Sequence, residues 1–390
     1  MTFFKNLFTR FFRRLGAPPQ GLMPSNHTAS SSINPMMTST AHSSTQASSS
    51  SATGSRSKKI KFDPRAPLPE NTVIESYQLH KVIGRGSFSL VYSGTDSRTN
   101  LPIVAKEYYP KRYALRVDDS LSITPTEDKL NKVYEEGFKQ FFKEAIALTK
   151  IKHPNIIKNT DMFRANHTAY MISPSTGGHD LKWFITNIRK AIDLDQVYQI
   201  FMPVLSALHY MHSANLLHLD IKPANILLQP NRESLLLDLG AVQGISSTSR
   251  FNSFQTLTHG FAPHEQYDKD KALGPWTDIY ALAATLYCCI TLKPPAKSVD
   301  GKIAGQLDTD TYGEDYPHPM LEAVNNALSY AQDQRFTDVD TFARKLLDGS
   351  KWATLRDYEL RVMHYDRTDL KMITSQNALA GAFLDKQTAS

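Results

Sequence analysis

The sequence predicts an α+β fold, strand-patterned early in its ordered part and helix-patterned later. Residues 77–96, YQLHKVIGRGSFSLVYSGTD, alternate apolar and polar side chains on either side of a glycine-rich turn, which reads as strand, turn, strand. Residues 137–151, GFKQFFKEAIALTKI, space Phe141, Phe142, Ile146 and Leu148 as a helix does. The longest apolar run, residues 280–290, is far short of the ~20 residues that span a bilayer and reads as a buried helix. The 390 residues leave room for roughly two to three globular units of ordinary size.

Charge is unevenly distributed along the chain. Residues 1–65 hold nine bases against one acid, Asp63, a net +8, so the remaining 325 residues carry −2 of the overall +6. A core without a basic excess of its own is not built to bind nucleic acid. The two cysteines, Cys288 and Cys289, are neighbours and poorly placed to pair with each other, which points to a reducing compartment. With no transmembrane run and no apolar secretory stretch, the expected location is cytoplasmic, peripheral at the inner face of the membrane if the leader binds there.

The leader, residues 1–20, is expected to form an amphipathic basic helix. Phe3, Phe4, Leu7, Phe8, Phe11, Phe12 and Leu15 gather on one half of its circumference, with Lys5, Arg10 and Arg13 on or near the other. Such a helix suits an anionic membrane surface through residues 1–15; a helix packed on protein, or a mitochondrial presequence, has the same pattern. Residues 21–70 are expected to be a disordered linker, since Ser, Thr and Ala dominate residues 25–57 and cannot bury enough surface to offset chain entropy. The basic cluster at residues 56–61 is compatible with lipid attraction or with a merely solvated charge run.

Order is expected from about Tyr77. Gly84 and Gly86 would let backbone N–H groups approach phosphate oxygens, although an isolated G-x-G pattern, here with Ser89 at its third position, is equally a plain hairpin. Lys106 ends the strand-like IVAK; such a lysine is usually an edge charge, unless a carboxylate on the following helix holds it. Glu144 is the expected holder, with Glu135 and Glu136 as competitors. The most informative segment is HLDIKPANILL, residues 218–228. Asp220 can orient an attacking hydroxyl and take its proton, Lys222 can steady a γ-phosphate, and Asn225 can ligate a metal. Thirteen residues on, Asp238 in LLLDLG can bridge Mg²⁺ to phosphates.

The ordered set Lys106, Glu144, Asp220, Asn225 and Asp238 resembles that of the Hanks-type serine/threonine protein kinases, over residues 77–347. GFAPHEQY matches the Ala-Pro-Glu segment at Ala262, Pro263 and Glu265; GPWTDIYAL places Asp278 where the family has its helix F aspartate; and Arg335 is the expected partner of Glu265. KEYYP, APHEQY and GPWTDIYAL are particularly similar to a bacterial group. The resemblance implies a two-lobed protein-kinase-like fold, with a small β-rich N-lobe over residues 71–175 and a larger helical C-lobe over residues 176–348. A C-terminal extension, residues 349–390, lies beyond it. It further implies ATP and Mg²⁺, with catalytic roles for Asp220, Lys222, Lys106 and Glu144, nucleotide contacts at Gly84, Gly86, Val91, Lys106, Pro174 and Thr176, and metal ligands Asn225 and Asp238.

The implied activity is transfer of the ATP γ-phosphoryl group to Ser or Thr hydroxyls of protein substrates, with autophosphorylation. Thr258 matches a family threonine near the catalytic Asp and Lys, and the hydroxyls at Ser246, Ser247, Thr248, Ser249, Ser253 and Thr256 are candidate autophosphorylation sites. Departures from the family are Leu219 in place of the arginine before the catalytic aspartate, and Leu239 in place of the Phe after Asp238. By the family's spacing Ser173 is the gatekeeper and residues 174–176 the hinge. A pseudokinase and a membrane-recruited scaffold remain as other readings, and nothing in the pattern sets an oligomeric state.

Overall fold

The computed structural model describes residues 63–117, 121–230, 233–238, 243–244, 257–268, 270–297 and 305–348. The expected leader helix, most of the linker, Leu239, the hydroxyls at 246–256 and the C-terminal extension lie outside these residues.

Strands β1 (Thr72–Ile74), β2 (Tyr77–Arg85), β3 (Ser89–Asp96) and β4 (Leu101–Tyr108) run antiparallel in succession. A small hairpin, β5 (Ala114–Arg116) and β6 (Ile123–Pro125), and helix α1 (Asn131–Lys150) intervene before β7 (Asp161–Ala165) and β8 (Thr168–Pro174) complete a six-stranded sheet in the order β1-β2-β3-β4-β8-β7. Side chains alternate between the two faces of a strand. In β3, Leu90 and Tyr92 point to one face and Val91 to the other; their partners on β4 are Glu107, Ala105 and Lys106 respectively. One face therefore carries Val91 and Lys106, and the opposite face carries Leu90, Tyr92 and Glu107. Helix α1 buries Tyr134, Phe141, Phe142 and Ala145, an i, i+7, i+8, i+11 stripe that brings Glu144 inward with it.

The linker boundary expected at residue 70 falls inside packed structure. Leu68 is buried, and its N–H donates to the Tyr92 hydroxyl at 3.1 Å. The polar composition of residues 25–57 ends well before this point, and the apolar Leu68 finds a place against the sheet.

The helical part begins after β9 (His179–Asp180) with α2 (Leu181–Ile188), whose N-cap Asp180 accepts from the Trp183 N–H, and α3 (Leu194–Ser213), closed by a reciprocal capping box between Asp193 and Gln196. Short strands β10 (Leu216–Leu217), β11 (Ile226–Leu228), β12 (Ser234–Leu236) and β13 (Gln243–Gly244) bracket the loops that carry the candidate site. The expected buried helix is α4 (Pro275–Thr291), apolar on every side and buried from Thr277 to Leu286. Cys288 and Cys289 on it are both free and buried. Helices α5 (His318–Ala327) and α6 (Val339–Leu347) pack behind it. Among the described residues no helix is long and apolar enough to cross a membrane.

Candidate active site

Lys106 leaves β4 on the same face as Val91 and meets two carboxylates: Glu144 of α1 at 2.8 Å and Asp238, just after β12, at 2.6 Å. Glu144, and neither Glu135 nor Glu136, is therefore the acid that holds Lys106. Burial works against the lysine's charge, but Asp238 and Glu144 outweigh it and raise its pKa above the ordinary value. Burial also raises Glu144, to about 7, with Lys106 pulling it down and Asp238 pushing it up.

Opposite lies the loop between β10 and β11. The Lys222 ammonium contacts both Asp220 carboxylate oxygens, at 2.8 and 2.7 Å, and donates to the Thr258 hydroxyl at 3.1 Å, which in turn donates to Asp220 at 3.1 Å. Asn225 donates from Nδ2 to the Asp220 carbonyl and carboxylate, at 2.8 and 3.0 Å, leaving its amide oxygen as an acceptor. Burial raises the Asp220 pKa above that of an ordinary aspartate, with Lys222 opposing. The Leu237 N–H donates to the Asn225 carbonyl at 2.8 Å, and the Leu237 carbonyl meets His218 Nε2 at 3.1 Å, so Asp238 is registered directly against this loop.

The loop is itself hung from α4. Asp278, fully buried, accepts from the N–H groups of His218 and Leu219, both at 2.8 Å, and from His212 Nε2 at 2.8 Å. Burial opposes its ionisation, yet His212 and the backbone donors hold its pKa below the ordinary aspartate value. Leu219 sits at φ 63° and 4% exposure, with its carbonyl taking the Gln266 amide at 2.9 Å. A left-handed Leu is a strained backbone position, and the Asp278 and Gln266 contacts on its two sides sustain it. Leu219 therefore supplies packing where the family has an arginine. The expected Glu265–Arg335 pair is present, at 2.6 Å with both side chains fully buried, and Thr277 donates to Glu265 at 3.1 Å.

The glycine-rich segment spans the end of β2 and the turn into β3. The Gly86 N–H bonds the Ser89 carbonyl at 2.8 Å to close the turn. A Cβ on Gly84 would come within 3.2 Å of the Val91 Cβ, so its absence keeps that face of the hairpin open beside Lys106. At the far end of the sheet Ser173 pairs with Val104, two residues from Lys106 and on its face, while Pro174 closes β8 ahead of Thr176. The chain then turns through Gly178 at φ 97°, where a Cβ would lie 2.1 Å from the Leu228 carbonyl oxygen. That position admits only glycine.

Lys106, Glu144 and Asp238 thus form one contact cluster, and Asp220, Lys222, Asn225 and Thr258 a second one registered against Asp238. One polar centre that the sequence pattern does not single out sits beside them: Glu107, the neighbour of Lys106 on the opposite face. Its carboxylate takes the Arg116 guanidinium at 2.5 Å, the Tyr92 hydroxyl at 2.8 Å and the Tyr170 hydroxyl at 2.7 Å.

The protein kinase domain model matches residues 77–351. The chain belongs to the protein kinase family. It is 26% identical over 278 residues to the probable serine/threonine-protein kinase PknB of Lactococcus lactis, covering 68% of this chain and 40% of that one. It is 25% identical over 294 residues to serine/threonine-protein kinase B of Synechocystis, covering 72% and 47%. The chain thus spans less than half the length of these curated relatives. A solved structure, PpkA-294 in its apo form, superimposes with a TM-score of 0.64 at 31% identity, over 72% of this chain and 99% of that one. These similarities support a Hanks-type serine/threonine kinase with bacterial affinities and the two-lobed α+β fold described above.

Proposed function

We propose that this chain transfers the γ-phosphoryl group of ATP to serine or threonine hydroxyls of proteins, its own included. The observation that carries this reading is the joint placement of Asp220, Lys222, Asn225 and Thr258 against Asp238 and Lys106. Phosphoryl transfer asks the protein for positioning and charge rather than covalent chemistry. Asp220, held by Lys222 and Thr258, aligns the incoming hydroxyl and accepts its proton. Lys222 neutralises charge on the transferring group, and Lys106, kept in place by Glu144, holds the α and β phosphates.

The donor set fits Mg²⁺: a carboxylate on Asp238 and an amide oxygen on Asn225 are hard oxygens, few in number, as suits an ion that keeps several waters. When bound there it neutralises phosphate charge. The pair Lys222 and Pro223, together with Thr258 bridging Asp220 and Lys222, favours hydroxyls of Ser and Thr. Gly84, Gly86 and Val91 would cover the nucleotide, and Pro174 and Thr176 would meet the base.

Asp220→Asn is expected to lower phosphorylation of a generic protein substrate by about 10²–10⁴-fold, read as ³²P incorporation with wild type beside it. Equal incorporation would leave the pseudokinase reading in place. For residues 1–15 the proposal is a membrane-surface helix that holds the kinase at the inner face. Deleting residues 1–20 should abolish pelleting with anionic vesicles, and unchanged pelleting would remove that anchor.

A further inference from the structure

The face of the sheet that carries Leu90 and Glu107 has a cavity of about 490 Å³ among Arg65, Arg85, Gly86, Leu90, Tyr109, Lys111 and Arg112. Because Leu90 and Val91 point to opposite faces, this cavity lies across the sheet from Lys106, and Gly86 is the one residue it shares with the proposed nucleotide contacts. Four of its lining residues are cations and none is an acid. Among the described residues no ion pair engages any of the four. Asp63 stands beside the cavity, its carboxylate accepting from the Arg65 N–H at 2.9 Å, and one acid against four cations leaves a positive excess. The contrast with the larger cavity along α1, about 730 Å³, is instructive: its cation Arg164 is already stacked over Phe138 and Phe142, at 4.8 and 5.0 Å, and Glu135 shares the lining with Lys139.

Three separate segments converge here. Arg65 comes from the packed stretch ahead of β1, Arg85 from the glycine-rich hairpin, and Lys111 and Arg112 from the turn after β4. Tyr109 ties them together: its N–H donates to the Phe88 carbonyl at 2.8 Å, its hydroxyl to the Pro64 carbonyl at 3.1 Å, and the Arg116 guanidinium stacks on its ring at 5.2 Å. Like charges brought together by three segments repel one another, and what relieves that repulsion is an anion of high charge density.

We infer that this cavity is a docking site for a phosphorylated serine or threonine of a protein. A phosphomonoester brings nearly two negative charges and three acceptor oxygens to guanidinium forks suited to them. The half-open volume, with exposed cations at its rim and an apolar floor of Leu90 and Tyr109, suits one phosphorylated residue and its neighbours. A nucleic-acid strand would need an extended basic track, and the four cations here are gathered around one cavity instead. Since Arg85 and the Tyr109–Phe88 bond belong to the hairpin that covers the nucleotide, occupancy should steady that hairpin and lower the KM for ATP.

The inference rests on the lining and not on the transfer reading, so binding is measured with full-length Asp220→Asn protein, which stays unmodified. The probes are a fluorescein-labelled peptide with one phosphoserine in an otherwise neutral sequence, its unphosphorylated twin, and vesicles containing phosphatidylinositol bisphosphate. The phosphopeptide should bind at least about tenfold more tightly than its twin, and Lys111→Ala with Arg112→Ala should remove about tenfold or more of that affinity; Arg65→Ala should weaken it by a smaller factor. Thermal melts identical to the parent protein establish that the variants fold. In the active enzyme the phosphopeptide should lower the KM for ATP, and the double variant should lose that response while keeping its basal rate. Equal binding of the two peptides, or binding indifferent to the substitutions, overturns the inference. So does cation-dependent binding of the vesicles without binding of the phosphopeptide, which would make the site one for a lipid headgroup.

Discussion

Lys106 and Glu107 are adjacent on one strand, each inside an ionic cluster, and the clusters are built on opposite principles. Glu107 is fully buried and matched: two tyrosine hydroxyls and one guanidinium share its two oxygens, and Arg116 also donates to the Ala66 and Leu121 carbonyls and the Tyr92 hydroxyl, at 3.2, 3.0 and 3.3 Å. Lys106 is outnumbered by two carboxylates, one of them 41% exposed and drawn from beyond the sheet. A buried polar network that is fully satisfied has one arrangement and rigidifies its surroundings. A cluster with a carboxylate in excess has a reason to rearrange when phosphate or a cation arrives. The Glu107 cluster is thus a frame, and the Lys106 cluster a site.

The largest expected effect tests the frame. Glu107→Ala strands the Arg116 charge in the interior and takes the acceptor from Tyr92 and Tyr170, so it should cost about 3–5 kcal/mol of stability. In a urea melt the midpoint should fall sharply, while the activity of the molecules that remain folded stays near wild type. A full-strength melt with lost activity would show that Glu107 serves the chemistry instead. The second effect runs the other way. Lys106→Ala should lower kcat/KM by about 10²–10³-fold, the range for removing one charge-stabilising donor, with a smaller loss in the melt than Glu107→Ala, because Asp238 can turn toward water and buried Glu144, already raised to about 7, can take up a proton. A large loss of stability in that variant would erase the distinction between the faces.

The two clusters also differ in how far the sequence reveals them. Asp220, Lys222 and Asn225 lie within six residues of chain, and Asp238 follows thirteen later, because one loop and the next strand must present them together. Short spacing of unlike chemistries is legible. Glu144 is half legible: three acids occur on the helix, and only the direction of its aromatic stripe selects one. Glu107 is not legible, because its partners stand 15, 9 and 63 residues away and become neighbours only when the strands pair. The phrase KEYYP is visible as a family likeness while the reason for its Glu is not. The same holds for the fold. The glycine-rich hairpin, α1 and α4 announce themselves by periodicity, whereas β5 and β6, three residues each, carry no pattern long enough to read. Residues 63–68 look like the end of a linker because their single apolar anchor, Leu68, acquires meaning only from Tyr92.

The smallest effect asks whether the cleft cluster really holds one carboxylate too many. In the folded chain Glu144 is raised from 4.5 to about 7, first by burial and then by Asp238, against the pull of Lys106. A carboxylate whose folded pKa exceeds its unfolded value binds more protons when folded, so across that interval stability declines as pH rises and levels off above about 7. Glu144→Gln removes the titrating proton and keeps the shape. The variant should therefore gain on wild type between pH 5 and 7 by no more than about 1.4 kcal/mol per pH unit, on the order of 2 kcal/mol in total, the pull of Lys106 being already contained in the raised value. Urea melts at pH 5, 6, 7 and 8 read the difference directly. If wild type instead gains on the variant as pH rises, Glu144 is a satisfied partner of Lys106 in the way Glu107 is of Arg116, and the two faces of the sheet are built alike after all.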